Sequence, residues 1–315
     1  MVRTVAVTGA SGFIGRRLIE RLGRDGFAVR VLVHNHTVEA DIAPDQLTTV
    51  KGSMADAKSL AALIEGVDAV VHLAGLIKAR RRRDFFEVNA KGVSRLIAAM
   101  GAGSGRSKVV LISSLAAREP GLSSYAASKR CGEAVLLDID DGLPWTVLRP
   151  PAVYGPGDRE TLSLFRSVRR GIGAMVGGRD ARFSLLHVDD LVDAVLVTLE
   201  PGCADRLILE LDDGASGGHS WPSMIEAAAR EMDVAVRCIG VPKAGLLLLG
   251  HVNRALGLWP GYVPMLTPEK VRELTHPDWV ADSRLILAKT AWRPAMPIDR
   301  GFPATIAWYR LHSWL

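Results

Sequence analysis

Three glycines in eight residues near the start of the chain constrain its fold more than any other feature. Residues 8–15 (TGASGFIG) follow an apolar run, residues 2–7, that is typical of a buried strand, and precede residues 16–22, whose spacing predicts an amphipathic helix. Glycines let the backbone approach a pyrophosphate, and the helix N-terminus offers it free N–H groups and a positive dipole end. A turn of this kind also occurs at ordinary strand-to-helix junctions. We predict dinucleotide binding here, with contacts from Gly9, Ser11, Gly12, Phe13, Ile14 and Gly15.

Strand-like and helix-like segments alternate along the first half of the chain. Residues 28–33, 68–75 and 108–113 are apolar runs of strand length, while residues 59–64 and 85–100 have helical spacing. Such alternation is typical of a parallel sheet covered by helices on both faces. The chain of 315 residues is long enough for such a domain with a lobe attached. We therefore predict an α/β fold, a Rossmann-type doubly wound parallel sheet with a smaller C-terminal lobe.

The end of the second predicted strand bears on the choice between NAD and NADP. In many NAD enzymes an Asp or Glu at this position binds the adenosine ribose. Here residues 28–33 are followed by His34, and no acid would repel a 2′-phosphate. We predict NADP or NAD as the cofactor and favour NADP, with His34 near the phosphate. The alternative is that His34 is an ordinary exposed loop histidine.

Composition excludes several functional classes. The net charge is +5, and the 39 basic and 34 acidic residues are mostly scattered, so we predict no nucleic-acid partner. No apolar run approaches the roughly 20 residues of a membrane span, and the strand pattern begins at once, so we expect no signal peptide. Cys131, Cys203 and Cys238 are far apart, which favours neither disulfides nor a metal site and suits the reducing cytoplasm.

Six motifs occur in one order along the chain and make it resemble a known superfamily. They are residues 8–15, 72–75 (HLAG), 113–114 (SS), 125–129 (YAASK), 149–156 (RPPAVYGP) and 187–190 (HVDD). With these residues the chain resembles the extended short-chain dehydrogenase/reductase superfamily, in its NAD-dependent epimerase/dehydratase family. The resemblance covers about residues 4–309. It implies an enzyme, an NAD(P)-dependent oxidoreductase or epimerase.

We predict two interleaved domains. Residues 1–155 form the dinucleotide-binding domain, to which a return segment, residues 187–212, belongs. Residues 156–186 and 213–315 form the smaller substrate-binding lobe. The substrate is expected in the cleft between them, near Ser114 and Tyr125.

Tyr125 and Lys129 are the candidate catalytic pair, because residues four apart lie on one face of a helix. A free phenol has a pKa of about 10, and a neighbouring ammonium lowers it, so that the tyrosine can exchange protons near neutrality. An exposed helical pair without function is the alternative. The resemblance implies that Tyr125 is the acid/base, that Lys129 tunes it and binds the ribose, and that Ser114 holds the substrate oxygen. Ser113 competes with Ser114 for that role.

The resemblance also implies further cofactor contacts. Leu73, Ala74 and Gly75 should pass along the adenosine and pyrophosphate, and Pro150 and Val153 should flank the nicotinamide; Tyr125 and Lys129 complete this set. No metal is expected. Asn89 matches a family position that is often structural and is not included among the catalytic residues.

The sequence narrows the reaction without identifying the substrate. Dehydratases of this family have an Asp-Glu pair after the serine, whereas Leu115 and Ala116 stand here. Many sugar-nucleotide epimerases have Asn at the position of Ala152. The substrate class stays open between a sugar nucleotide and an apolar ketone, the latter as in 3β-hydroxysteroid dehydrogenases and dihydroflavonol reductases. A non-catalytic nucleotide-binding subunit for assembly or regulation is a further alternative.

Two surface or lobe features have two interpretations each, and one further feature concerns assembly. Residues 246–249 with Leu256, Leu258 and Trp259 could line an apolar substrate pocket, but the core of the lobe is favoured. Residues 80–83, four arginines, could bind an anionic group, but a solvated helix face is favoured. The family often forms dimers through the helices of residues 85–100 and 125–137, so a homodimer is expected.

Overall fold

The computed structural model describes residues 3–34, 37–101, 107–139, 142–257, 259 and 261–315. The strands in these residues are β1 (Thr4–Thr8), β2 (Ala28–Val33), β3 (Leu47–Lys51), β4 (Ala69–His72), β5 (Lys108–Ile112), β6 (Trp145–Arg149), β7 (Ala152–Tyr154), β8 (Ile172–Val176), β9 (Arg182–Phe183), β10 (Leu185–His187), β11 (Leu207–Glu210), β12 (His219–Ser220), β13 (Arg237–Val241) and β14 (Asp278–Trp279). The α-helices in the same residues are α1 (Phe13–Arg24), α2 (Ala57–Ile64), α3 (Arg82–Asn89), α4 (Lys91–Gly101), α5 (Ser124–Leu137), α6 (Leu162–Arg169), α7 (Val188–Leu199), α8 (Trp221–Met232), α9 (Lys243–Leu256), α10 (Pro268–Leu274), α11 (Arg284–Lys289) and α12 (Ile298–Leu311). Short 3-10 turns occupy Pro44–Gln46 and Leu115–Arg118.

The chain divides into two units. The first contains the described residues of Met1–Arg149, Val192–Leu209 and Arg284–Trp292. The second contains the described residues of Pro150–Leu191, Glu210–Ser283 and Arg293–Leu315.

A seven-stranded sheet dominates the described part of the first unit, in the order β11-β6-β5-β4-β1-β2-β3. The register is parallel for each pair from β6 to β3, for example Val7 beside Val31 of β2 and Val71 of β4. Strands β4, β5 and β6 are mainly apolar and are buried along their whole length, as both faces of a parallel sheet are covered. This sheet confirms the predicted doubly wound Rossmann-type fold. The strand order reverses between β1 and β4, where ligands bind in such sheets.

One predicted helix is two helices. The apolar spacing of residues 85–100 predicted a single helix, but α3 ends at Asn89 and α4 begins at Lys91. The Asn89 side chain binds the backbone of Leu76 through both its oxygen (2.7 Å) and its nitrogen (3.0 Å). A periodicity argument does not detect this break, because Val93, Leu96 and Met100 are still buried on one stripe of α4.

The second unit has short sheets and an aromatic core. Strand β7 pairs in parallel with β10, and β8 with β13, while β9 lies between β12 and β14. The core includes Phe165, whose ring lies 5.0 Å from that of Phe302 and 5.7 Å from that of Tyr309. Burial of such rings contributes about 1.5–3 kcal/mol each.

Asp190, in the HVDD motif, has a defined partner within this unit. Its two carboxylate oxygens accept hydrogen bonds from the backbone N–H groups of Ala295 (2.9 Å) and Met296 (3.0 Å). The carboxylate therefore holds the segment that follows Arg293 and leads into α12.

Candidate active site

The carboxyl ends of β1 and β4 lie side by side at the point where the strand order reverses. Thr8 and His72 are register partners there. The Thr8 hydroxyl lies 2.8 Å from His72 Nδ1 and accepts a hydrogen bond from the N–H of Ala74 (3.2 Å). The glycine turn and the HLAG turn are thus joined by one buried hydroxyl.

The glycines of the first turn are required by close packing. Gly9 has φ +76°, and a Cβ on it would lie 2.7 Å from the backbone nitrogen of Ala74. A Cβ on Gly15 would lie 2.2 Å from the carbonyl oxygen of Gly9. A larger residue at Gly9 would push the two turns apart, and one at Gly15 would push α1 away from the glycine turn.

The N-terminus of α1 suits a phosphate group. Gly12 is the N-cap, no side chain caps the helix, and its first turn has no acidic residue. Ser11 and Gly12 are exposed, and Phe13 and Ile14 are half-buried. The first N–H groups of a helix have no partner within it and attract an anion. The turn therefore fits the pyrophosphate of a dinucleotide by both its shape and its charge.

The two serines after β5 are placed differently. Ser113 is buried, and its hydroxyl donates a hydrogen bond to Glu133 Oε1 (2.5 Å). Ser114 is half-buried, and its hydroxyl oxygen caps the following 3-10 turn by accepting from the N–H of Ala116 (3.2 Å). The Ser114 hydroxyl proton is not used in that bond, whereas the Ser113 proton is committed to a carboxylate.

Helix α5 carries the predicted pair Tyr125 and Lys129. The helix is capped by Ser123, whose hydroxyl oxygen accepts from the N–H of Ala126 (3.0 Å). Tyr125 is half-buried in the first turn, edge-on to Phe85 with ring centroids 6.2 Å apart. Both side chains leave the helix on one face.

Lys129 lies close to the HLAG turn. Its Nζ donates to the carbonyl oxygen of Ile112 (2.8 Å), at the end of β5, and lies 3.4 Å from the place of a Cβ on Gly75. Burial lowers the pKa of Lys129 to about 8, and the nearby carboxylate of Glu133 opposes that shift. The structure thus brings together two predicted cofactor contacts, Gly75 and Lys129.

Glu133 is a functional candidate that the sequence argument missed. It is fully buried, and besides Ser113 it binds Arg149 through Nε (2.9 Å) and a terminal nitrogen (2.6 Å). It stands one helical turn after Lys129. The four-residue spacing from Lys129 to Glu133 could have indicated this role. It places the carboxylate on the buried face of α5, where a charged group needs a cationic or hydrogen-bonding partner.

His72 lies beneath the same turns and is almost fully buried. Burial, and then the charge of Lys129, lower the pKa of His72 to about 3. Its imidazole is therefore neutral at physiological pH, and the glycine turn lies over a buried polar layer.

Asn89 connects the turn after β4 to α5. In addition to Leu76, its side-chain nitrogen donates to the Ser128 hydroxyl (2.9 Å), which donates to the carbonyl oxygen of Tyr125 (2.7 Å). This position agrees with a structural rather than a catalytic asparagine.

The remaining predicted site residues lie elsewhere. Leu73 and Ala74 are half-buried in the HLAG turn, and His34 is exposed directly after β2. Pro150 is buried and Val153 is half-buried in the second unit, where Val153 pairs with Leu186. The structure therefore groups the first-unit residues around the ends of β1, β4 and β5, and describes Pro150 and Val153 only within their own unit.

The four arginines at residues 80–83 are all exposed at the start of α3. Arg82 lies over the ring of Phe86, 5.4 Å from its centroid, and Arg83 Nε lies 3.6 Å from Asp84. This is the solvated helix start that the sequence favoured.

The apolar run in α9 is not the lobe core that was favoured. Leu246 is buried, but Leu248, Leu249, Leu256 and Trp259 are exposed. Leu258 lies outside the described residues. The expectation was wrong because α9 packs on the start of α10 through the side that carries Leu246 and Gly250.

Among the helices of the described residues, none has both the length and the apolar character that a membrane span requires.

Comparison with known proteins identifies the family. Residues 5–206 match the NAD dependent epimerase/dehydratase family. The chain is 37% identical over 313 residues to the ceramide reductase of Caulobacter vibrioides, covering 99% of this chain and 96% of that protein. It is 27% identical over 355 residues to a dTDP-4-dehydro-6-deoxy-D-allose reductase of Streptomyces, covering 99% and 97%.

Solved structures share the fold. The UDP-glucose 4-epimerase of Thermotoga maritima, solved with UDP-glucose, has a TM-score of 0.75 at 18% identity, covering 98% of this chain and 99% of that one. The chain belongs to the NAD-dependent epimerase/dehydratase family, within the extended short-chain dehydrogenase/reductases, and is an NAD(P)-dependent enzyme of the oxidoreductase/epimerase type.

Proposed function

We propose that this enzyme reduces the ketone of a long-chain lipid of the ceramide class to the alcohol. One observation carries the proposal: the 37% identity to a ceramide reductase extends over 99% of the chain. The dTDP-sugar reductase matches over a similar length at only 27% identity. The two residues after Ser114, Leu115 and Ala116, also favour a reductase over a dehydratase, because they supply no acid or base for loss of water.

The proposed proton transfer uses Ser114 and Tyr125. Both hydroxyl groups donate hydrogen bonds to the ketone oxygen. When bound, the nicotinamide supplies the hydride that the ketone carbon accepts. The oxygen gains negative charge and takes the proton of Tyr125, which gives the alcohol and a phenolate. The Lys129 ammonium stabilises that phenolate, and its own hydrogen bond to Ile112 holds it in place.

For the cofactor we propose NADPH. The pyrophosphate would lie on the N-terminus of α1, and Lys129 would bind the nicotinamide ribose. His34, exposed after β2, stands where an acid would oppose a 2′-phosphate. Comparison of the Kd values for NADPH and NADH, in wild type and in His34→Asp, tests this preference. The variant should lose NADPH affinity and keep or gain NADH affinity; an unchanged ratio contradicts the proposal.

For the predicted substrate-binding lobe and for assembly we propose two further roles. Residues 156–186 and 213–315 would bind the substrate, with Pro150 and Val153 beside the nicotinamide. The chain would form a homodimer through α4 and α5. Sedimentation at micromolar concentration tests the dimer, and a monomer there contradicts it.

The experiment that tests the catalytic assignment is Tyr125→Phe. Removal of one hydroxyl should lower turnover at least about 100-fold, the low end of what proton transfer by a positioned group contributes. The Kd for NADPH should stay within about threefold of wild type. Ser114→Ala and Ser113→Ala form a matched pair of variants. In folded protein, Ser114→Ala should lower turnover and Ser113→Ala should not. A fully active Tyr125→Phe enzyme contradicts the proposal.

A further inference from the structure

Arg16 stands at the end of the first turn of α1, directly after the third glycine of residues 8–15. Side chains in a helix lean toward its N-terminus, and Arg16 Nε donates a hydrogen bond to the carbonyl oxygen of Ser11 (3.2 Å). The guanidinium is thereby held beside the glycine turn. The residue is exposed, so its other N–H groups remain available to a ligand.

Arg16 differs from the other arginines of α1 in its surroundings. Those three lie beside carboxylates, in the pairs Arg17 with Glu20 (3.7 Å), Arg24 with Glu20 (3.7 Å) and Arg21 with Asp193 (2.5 Å). Among the described residues, no carboxylate forms an ion pair with Arg16. Its positive charge is therefore not balanced by an acid of the chain.

The charge of Arg16 also stands at the end of a helix that does not favour a cation. The N-terminus of α1 is the positive end of the helix dipole, and no acidic residue occupies its first turn. Arginines stabilise the opposite end of a helix, where Arg21 and Arg24 stand. The glycine turn with Arg16 therefore offers more positive charge than the turn alone, which favours a ligand with an additional anionic group.

NADPH differs from NADH by such a group. The extra phosphate is on the 2′-oxygen of the adenosine ribose, which in sheets of this kind binds at the end of the second strand, close to the glycine turn. An acid there binds the ribose of NAD, whereas an arginine nearby accommodates the phosphate of NADP. Residues 34–50 contain no Lys or Arg, so the segment after β2 supplies no such cation.

Lys51 is the other cation close to the end of β2. It is the last residue of β3, where it is the register partner of Val33, and it is exposed. In the described part of the chain its ammonium has no hydrogen-bond partner, and β3 is the edge strand. Arg16 is instead held at Ser11, and a planar guanidinium can bind two phosphate oxygens at once. These differences favour Arg16.

We propose that Arg16 is the residue that selects NADPH, by binding the 2′-phosphate with its guanidinium. His34 and Arg16 then have separate roles: the residue after β2 does not repel the phosphate, and the residue after the third glycine attracts it. This inference rests on NADPH as the proposed cofactor. It assigns the selection to a residue that the proposed reaction does not use.

Binding to the ligand-free enzyme tests the assignment without catalysis. Calorimetry gives the Kd values for NADPH and NADH, and for their fragments adenosine 2′,5′-bisphosphate and 5′-AMP. Arg16→Gln should weaken binding of NADPH and of the bisphosphate at least about tenfold, as loss of a hydrogen bond between charged groups does. Binding of NADH and 5′-AMP should stay within about twofold of wild type. Arg16→Lys should keep part of the preference, since it keeps the charge.

Two further variants are the controls. Arg24→Gln removes the same charge from the far end of α1 and should bind all four compounds as wild type does. Lys51→Gln should also retain the preference for NADPH. Urea unfolding confirms that each variant is folded.

The possible results separate this inference from the proposed cofactor. If wild type binds NADH as tightly as NADPH, the proposed cofactor is wrong and the role of Arg16 is overturned with it. If wild type prefers NADPH and Arg16→Gln keeps that preference, only the role of Arg16 is overturned. Equal weakening of NADPH and NADH would place Arg16 on the pyrophosphate, and loss of the preference in Lys51→Gln alone would assign the phosphate to Lys51. Both results contradict the inference.

Discussion

The pKa of His72 gives a quantitative prediction about stability in acid. The imidazole titrates with a pKa of about 3 in the folded protein, against 6.5 as the ordinary value. Between pH 6.5 and pH 3 the unfolded chain therefore binds a proton that the folded chain does not. The contribution of neutral His72 to the free energy of unfolding is complete above pH 6.5 and decreases as the pH falls below that value. At a pH of about 4.5, two pH units below 6.5, the loss is about 3 kcal/mol.

The perturbation that tests this value is His72→Gln. The glutamine can still accept a hydrogen bond from Thr8 but takes up no proton in this range. Urea unfolding of both proteins at neutral pH and at a pH of about 4.5 gives two free energies of unfolding for each. The difference between the two free energies should be smaller in His72→Gln by about 3 kcal/mol.

The control is His251→Gln, which removes an exposed imidazole on α9 and should keep the wild-type difference. Equal acid losses in His72→Gln and wild type would show that His72 takes up a proton as readily in the folded protein as in the unfolded chain, which contradicts the prediction.

Three other predictions test the candidate site. Gly9→Ala should destabilise the protein by more than the roughly 1–2 kcal/mol that a left-handed backbone conformation costs alanine. The control is Gly26→Ala, at φ +80° with open space around it, which should lose only the cost of that conformation. Equal urea midpoints for the two variants would contradict the close packing at Gly9. Glu133→Gln should destabilise by roughly 3–5 kcal/mol, because buried Arg149 loses its carboxylate; an unchanged unfolding curve would contradict this. In ligand-free protein with ¹³C-labelled lysines, NMR should show Lys129 titrating near pH 8, and Glu133→Gln should lower that pKa further, since the carboxylate raises it; a rise would contradict this.

The site motifs could be predicted because their chemistry is local in sequence. The glycine turn, the serines after β5 and the pair on α5 are each defined by a few neighbouring residues. The structure places Gly9 against the HLAG turn and Lys129 against Gly75, as the doubly wound order requires. Only a long-range contact distinguishes the two serines. The Ser113 hydroxyl donates its hydrogen bond to Glu133, which is twenty residues further along the chain.

Other features could not be predicted because distant contacts decide them. Strand β3 was missed, since it is an edge strand with exposed Thr48 and Thr49 and no apolar run. The break before α4 depends on Asn89 reaching back to Leu76. The exposure of Leu248 depends on which side of α9 packs on α10, and periodicity alone does not determine this.

Product analysis shows whether this enzyme reduces a lipid ketone. Purified enzyme with NADPH is given a long-chain amide bearing the ketone in detergent micelles, and in a separate reaction a dTDP-4-keto sugar. Mass spectrometry of each mixture detects the alcohol. We expect the lipid alcohol with wild type, at least about 100-fold less of it with Tyr125→Phe, and no sugar product. Reduction of the sugar with the lipid ketone left intact would contradict the proposed function.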